Sequence, residues 1–528
     1  MAMASRLDRI VGTLGAGGGR RFLGELTRGI EKESLRVLPD GNLSQASHPL
    51  GLGSALTHPL ITTDFCESQP ELITGVHRTV QGCLDELQDI HRFVYRNIDD
   101  ELLWSSSMPC MLGRNEQVPI AQYGTSNVAR TKHVYRRGLS VRYGRLMQTI
   151  SGIHYNFSIP EGLWPYIAEL RGTGDSRAFR DDAYFGLIRN FRRHSWLLIY
   201  LFGASPSLCK SFLKGKSHAL HNFDEGSLYL PHATSLRMGR FGYQSDAQSH
   251  LHISYNSLAE YARTLLDALI EPYPPYERIG VKVDGEYQQL STTLLQIENE
   301  FYGTIRPKRG VHNGERPLSA LTSSGVEYVE VRCLDLNPFM PVGIDEEEIR
   351  FIDTFLLHCL LSDSPPETLA ESQELSVNQQ RIVEEGRKLG LELQRAGAEF
   401  EMREWAKELM EESRPIAQLL DEVVGTQIHR TSFAEQLARL EDPDLTPSAR
   451  ILANMRKARV PFFRFAMNQS ILHKGFFEAN ALTNDALQHY ETLAERSLDQ
   501  QRAIESADTE TFEDYLARYM RPPSIEGA

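Results

Sequence analysis

Gly29-Ile30-Glu31-Lys32-Glu33 alternates acids with an apolar residue and a lysine. Successive side chains of an extended strand point to opposite faces, so Glu31 and Glu33 share one. Three further segments repeat the alternation. Gly152-Ile153-His154-Tyr155-Asn156-Phe157 puts His154 and Asn156 on one face and Ile153, Tyr155 and Phe157 on the other. Gln296-Ile297-Glu298-Asn299-Glu300-Phe301-Tyr302 reads as a strand with Gln296, Glu298, Glu300 and Tyr302 together. Tyr328-Val329-Glu330-Val331-Arg332 groups Tyr328, Glu330 and Arg332. A fifth segment, Thr62-Thr63-Asp64-Phe65, leads toward Glu67 and Glu71, and Pro70 argues against one regular element, so Asp64 and Glu71 are expected to meet by a turn.

One polar strand face is ordinarily a solvated face. These faces instead carry acids, amides, one histidine and one arginine, with few of the Thr, Lys and Ser of a merely wet surface. Crowded carboxylates repel, and burial would force some to protonate unless cations sit among them. Hard divalent cations prefer carboxylate oxygen, and Mg²⁺ or Mn²⁺ commonly bridges protein acids to phosphates. Acids with a single histidine therefore suggest a Mg²⁺ or Mn²⁺ nucleotide site on a sheet, not a zinc site. Basic residues lie close by: Arg306, Lys308 and Arg309 follow the third segment, with Arg237, Arg136 and Arg137 elsewhere. Arginine forks match phosphate and carboxylate oxygens.

Outward from these segments, the texture is α+β. Residues 20–340 mix short extended runs with helices, and residues 345–520 read mostly helical. Asp345 is placed to cap a helix, with Glu348 at the capping-box position and Ile349, Ile352, Leu356 and Leu360 at helical spacing. Ser364-Pro365-Pro366 ends it. The stretches at about 375–425 and 485–519 read as charged, acidic helices. The run Ser195 to Cys209 is shorter than the ~20 residues of a membrane span, and Gly203 and Pro206 break it. It reads as a buried helix running into a loop. Six cysteines without a CxxC pair read as free thiols. The 528 residues carry 56 Lys+Arg and 70 Asp+Glu, a net charge of −14, which disfavours a nucleic-acid partner. The glycine-rich Gly15-to-Arg20 run follows no strand and lacks dinucleotide-loop spacing.

The blocks GIEKESLRV (29–37), LTHPLITTDFCESQPELITG (56–75), AQYGTSN (121–127), LMQTISGIHYNFSIP (146–160), QIENEFYGTIRPKR (296–309) and GVEYVEVRCLDLNPF (325–339) closely resemble the bacterial single-function glutamate–cysteine ligases. The resemblance runs in order from about residue 20 to 360 and more thinly beyond. It implies a curved antiparallel sheet with surrounding helices, a catalytic fold like that of glutamine synthetase, and a funnel-shaped site on the concave face. It implies one catalytic unit over residues 1–528, with a sheet-based core at 20–360 and a helical packing region at 361–528. The implied reaction joins L-glutamate and L-cysteine at the cost of ATP, through a γ-glutamyl phosphate, as the first step of glutathione synthesis.

Carried over by motif, Glu31, Asp64 and Glu71 resemble ligands of one cation, and Glu33, His154 and Glu330 ligands of others. Arg332 resembles the residue facing the transferred phosphoryl group, with Lys308 also at the nucleotide. Phe65, Tyr135, Leu139, Tyr243 and Tyr302 resemble the pocket around the cysteine side chain, with Arg237 for its carboxylate. Expected partners are small molecules only, with no nucleic acid, membrane or obligatory protein partner, in a cytoplasmic enzyme. A relative using another amine would betray itself by amine preference, and a non-catalytic homologue by nucleotide binding without turnover.

Overall fold

The computed structural model describes residues 6–215, 217–240, 242, 247–248, 251–311, 315–523 and 525. Six strands form its main sheet: β1 (Thr27–Glu33), β2 (Ile61–Thr63), β3 (Pro70–Ile73), β4 (Ile153–Ser158), β5 (Ile305–Lys308) and β6 (Tyr328–Leu334). Their spatial order is β5-β6-β4-β1-β3-β2, and every neighbouring pair is antiparallel. Register fixes which side chains meet. Glu31 opposes His154, Glu33 opposes Glu71, Glu330 opposes both Asn156 and Arg306, and Lys308 opposes Tyr328.

The other face is the core. Ile30, Ile153, Tyr155, Phe157, Val329 and Val331 are fully buried there. Burial of each contributes on the order of 2 kcal/mol. Helices α1 (Val80–Asn97), α3 (Arg177–Phe202) and α4 (Glu346–Leu361) cover this face, while α2 (Asn127–Tyr143) flanks the opposite, polar side. Polar groups on the core face are paired. Arg28 reaches Asp353 of α4 at 3.0 Å, and the Tyr155 hydroxyl donates to the same carboxylate at 2.6 Å. Lys32, between Glu31 and Glu33 in sequence but on the reverse face, packs its Nζ 2.6 Å from His91 Nε2 of α1.

Asp345 caps α4, its carboxylate accepting from the Glu348 amide, and α4 ends before Ser364-Pro365-Pro366 as its sequence predicts. The run beginning at Ser195 is the buried end of α3, which stops at Gly203.

Three expectations are corrected. Residues 296–302 form no strand: Glu298–Glu300 is one 3₁₀ turn between loops. The stretch at 375–425 is not one helical region. A hairpin, Glu392–Arg395 paired with Ala398–Glu401, separates α5 (Leu369–Glu385) from α6 (Met402–Val424). Ala396 and Gly397 both take positive φ at its turn, the backbone a two-residue hairpin loop needs. Cys110 and Cys209 form a disulfide, with Cα atoms 5.5 Å apart across a sequence separation of 99. Linear spacing could not reveal that proximity. Cys66, Cys83, Cys333 and Cys359 are buried thiols.

The last helices, α7 (Asn484–Ala507) and α8 (Phe512–Tyr519), return to the sheet-based part. Asp508 accepts hydrogen bonds from the amide and side chain of Asn127 at the start of α2. Ser497 and Gln501 of α7 bond Ser54.

Candidate active site

His154 is the hub of the polar face. Its Nδ1 lies 3.3 Å from Glu31 Oε2 and 3.7 Å from Glu330 Oε1, and its Nε2 lies 3.7 Å from Glu33 Oε1. Two groups have ligand atoms within 4.8 Å of one another: Glu31, His154 and Glu330, and Glu33, Glu71 and His154. The strands position them directly, since cross-strand partners and i, i+2 neighbours share a face. The resemblance groups Glu31 with Asp64 and Glu71, and Glu33 with His154 and Glu330; the proximity of the ligand atoms runs across that partition. Glu31 sits with His154 and Glu330, and Glu33 sits with Glu71. Asp64 follows β2 at the edge, its amide bonded to Gln69 O, and it adds its charge beside Glu33 and Glu71 without joining either group.

The charges sort into two regions. Burial pushes Glu33 well above the ordinary carboxylate range, with Asp64 and Glu71 adding like charge. Burial, Glu31 and Asp64 push Glu71 up to about 8. Toward β5 and β6 the balance reverses. Burial alone would raise Glu330, but Arg332, Lys308 and His154 hold it well below the usual range. Arg332 Nη1 lies 3.0 Å from Glu330 Oε2, and Lys308 Nζ lies 3.4 Å from Glu330 Oε1. Burial also raises Glu31, and the His154 hydrogen bond and Lys308 bring it net below the usual range. Burial and Arg332 shift the His154 imidazole below its ordinary range, against the pull of Glu31 and Glu330. Arg332 lies where the β4–β6 register shifts between Val331 and Leu334, and its amide bonds Thr304 O. That interruption frees it from the regular ladder.

A cavity of about 400 Å³ opens beside this face, lined by His154, Arg332, Arg237, Tyr302, Gln248 and Tyr255, among others. Arg237 lies under the site, its Nη2 donating to Arg332 O at 3.0 Å and packed so closely on Gly152 that a Cβ there would meet it at 2.0 Å. Tyr302 is held by Gln148, whose Nε2 lies 3.0 Å from its hydroxyl. Tyr135 and Leu139 lie on α2 at one-turn spacing, Leu139 and Phe65 are buried, and the Tyr135 phenol feels Tyr302 and Glu300. Phe65, Tyr135 and Leu139 are not among the residues lining the cavity. Tyr243 lies outside the described residues.

The misread 296–302 segment explains its own acids. Glu298 forms a two-pronged pair with Arg316, and Glu300 pairs with Arg142 at 2.9 Å. Neither joins the two carboxylate–histidine groups. Sequence reasoning overlooked Arg142, Tyr143, Gln148 and Gln248 around Tyr302, because their partners come from distant segments. Arg306, legible only as part of a basic cluster, opposes Glu330 and bonds the carbonyls of Asn299 and Phe301.

The family described as glutamate-cysteine ligase matches residues 12–382. The glutamate–cysteine ligase of Pseudomonas putida is 50% identical over 518 residues, 98% of either chain. That of Azotobacter vinelandii is 48% identical over 529 residues, 99% of either chain. A crystal structure of glutamate–cysteine ligase from Francisella tularensis in complex with AMP superposes with a TM-score of 0.89 at 35% identity, covering 94% of this chain and 97% of that one.

Proposed function

This chain belongs to the glutamate–cysteine ligase family, and we propose that the polar face of its sheet is where the family's reaction is carried out. The enzyme joins the γ-carboxylate of L-glutamate to the amine of L-cysteine, with ATP converted to ADP and phosphate, as the first step of glutathione synthesis. The observation that carries the placement is the meeting of Glu31, Glu33, Glu71, His154 and Glu330 from four separate strands.

The chemistry needs an activated carboxyl, because oxide is a poor leaving group. A γ-carboxylate oxygen attacks the γ-phosphorus, the bond to the ADP oxygen breaks, and an acyl phosphate forms. The cysteine amine then attacks the acyl carbon and loses a proton, and phosphate departs with the bridging oxygen. In this reading Arg332, held at 3.0 Å by Glu330, faces the transferred phosphoryl group, and Lys308 adds charge at the nucleotide. Such preorganised donors stabilise charge as it develops.

The two carboxylate–histidine groups fit divalent cations. Their donors are oxygens plus one imidazole, and among the described residues no lysine or arginine ion-pairs with Glu33 or Glu71. Glu31 and Glu330 would hold one Mg²⁺ or Mn²⁺ and Glu33 and Glu71 another, with Asp64 adjacent and the single lone pair of the His154 ring available to one of the two. A bound cation supplies charge neutralisation on phosphate oxygens. Tyr302 and Arg237, in the neighbouring cavity, would receive the amine substrate, with Phe65, Tyr135 and Leu139 behind them and Tyr243 retained from the motif match. The whole chain acts as one catalytic unit in this reading, because α7 bonds Ser54 and the link between α7 and α8 bonds the start of α2. No described helix is long and apolar enough to cross a membrane. A cytoplasmic location suits the ATP and amino-acid substrates.

The test is glutamate labelled with ¹⁸O in its γ-carboxylate, incubated with protein, ATP, Mg²⁺ and cysteine. Cysteine-dependent ADP release, with ¹⁸O in the phosphate, supports the reading. ADP release indifferent to cysteine, or unlabelled phosphate, refutes it.

A further inference from the structure

The 3₁₀ turn Glu298–Glu300 delivers the chain directly to Phe301 and Tyr302, both on the cavity wall. Glu300 ends that turn with its carboxylate fully buried. Oε1 accepts from Arg142 Nη1 at 2.9 Å and from the Tyr143 hydroxyl at 2.6 Å, and Oε2 accepts from the Gln296 amide at 2.7 Å. Three donors on a buried carboxylate fix its position, since losing any of them leaves an unsatisfied group in a dry site. Burial and the Glu300 charge keep the Tyr143 phenol protonated, so it remains a donor.

These contacts lead to Tyr302 by two routes. The Tyr143 ring packs edge-on to Tyr302, with centroids 6.1 Å apart. Gln248 donates to Glu300 O at 2.9 Å and accepts from the Tyr302 amide at 3.1 Å. Arg142 and Tyr143 sit at the end of α2, one to two turns beyond Tyr135 and Leu139. At Gly138, between those two, the helix approaches Gln296 so closely that a Cβ would meet its side-chain oxygen at 2.0 Å. The turn and the helix are thus locked at short range on both sides of Glu300.

We propose that Glu300 is a positioning residue for the amine substrate: it bolts α2 to the Tyr302 segment through Arg142 and Tyr143, and so sets how Tyr302, on the wall of the cysteine pocket, sits against the helix behind it, without touching either substrate. This rests on the reading that Tyr302 lines that pocket, with α2 behind it.

The experiment is steady-state kinetics with cysteine, glutamate and ATP each varied, on wild type, Glu300→Gln, Tyr143→Phe and Tyr302→Ala. Glu300→Gln should raise KM for cysteine about tenfold, with the KM values for ATP and glutamate moving less than about twofold. Tyr143→Phe, which keeps the ring and removes only the hydroxyl, should shift the same constant by a few-fold and decides the matter if Glu300→Gln fails to fold. If Tyr302→Ala leaves KM for cysteine at the wild-type value, the pocket reading falls and takes the proposal with it. If Tyr302→Ala raises it while the Glu300 and Tyr143 variants leave it unmoved, or change all three KM values together, the pocket stands and the role of Glu300 is refuted.

Discussion

Glu33 and Glu71 are Cα partners on β1 and β3, so two carboxylates share one face of the sheet with His154 Nε2 3.7 Å from one of them. Burial and neighbouring carboxylates (Asp64 and Glu71 for Glu33, Glu31 and Asp64 for Glu71) hold both acids above the ordinary range, Glu71 at about 8. An arrangement that costs the isolated protein stability is reasonable at a site that receives cations.

The first prediction is a pH effect with a definite sign. Glu71 is raised from an ordinary 4.5 to about 8, so the folded protein binds a proton that the unfolded chain releases earlier. Stability from this group is complete below the ordinary value and lost as pH rises through about 8. The melting temperature without added metal should fall between pH 5 and pH 8.5 (on the order of one carboxylate's titration range), and Mg²⁺ should restore more at the upper end. Calorimetry in buffers of different ionisation enthalpy should show proton release on Mg²⁺ binding. Pure ion uptake with no proton release would contradict it.

Arg332→Ala and Glu330→Gln should each lower kcat by about 10²-fold or more, from the loss of preorganised charge at the phosphoryl group. Circular dichroism should remain that of the wild type. Near-normal turnover by either variant would remove the phosphoryl end of the site from β6.

Glu298→Gln should behave differently from Glu31→Gln. Glu298 is buried against Arg316, and breaking that pair should cost about 3 kcal/mol of stability. Its Mg²⁺ dependence should match wild type, whereas Glu31→Gln should demand far more Mg²⁺ for half-maximal rate. Equal Mg²⁺ requirements in the two variants would show that the 3₁₀ turn has been misjudged.

On the core face, Asp353→Ala leaves Arg28 without its carboxylate and Tyr155 without its acceptor. Urea unfolding should show a loss of about 3–5 kcal/mol. Activity per folded molecule should change little, because this contact lies on the reverse of the sheet from His154.

Period-two alternation identifies β4 and β6, since each has one apolar face and one polar face, whereas in β1 only the alternation of Glu31 and Glu33 shows it, because Arg28 and Lys32 flank Ile30 on the reverse face. The same reasoning fails at 296–302. There the alternating acids are satisfied singly, by Arg316 and Arg142, and a turn satisfies them as well as a strand. Alternation records which residues face the same way, not what they face. The grouping of Glu33 with Glu71 comes from the β1–β3 register, which no local pattern encodes. The hairpin at 392–401 had a legible turn at Ala396-Gly397, hidden between two charged helices. The Cys110–Cys209 bridge and the Gln248–Tyr302 contact depend on tertiary proximity alone.

The central claim is that one face of the sheet pools its carboxylates to hold cations at the nucleotide. Electron paramagnetic resonance of free Mn²⁺, titrated with protein in the presence of ADP, tests it most directly. Wild type should take up Mn²⁺ at both carboxylate–histidine groups, and the double variant Glu33→Gln/Glu330→Gln should lose that uptake while remaining folded. A double variant that binds as many Mn²⁺ ions as tightly as wild type would contradict the account.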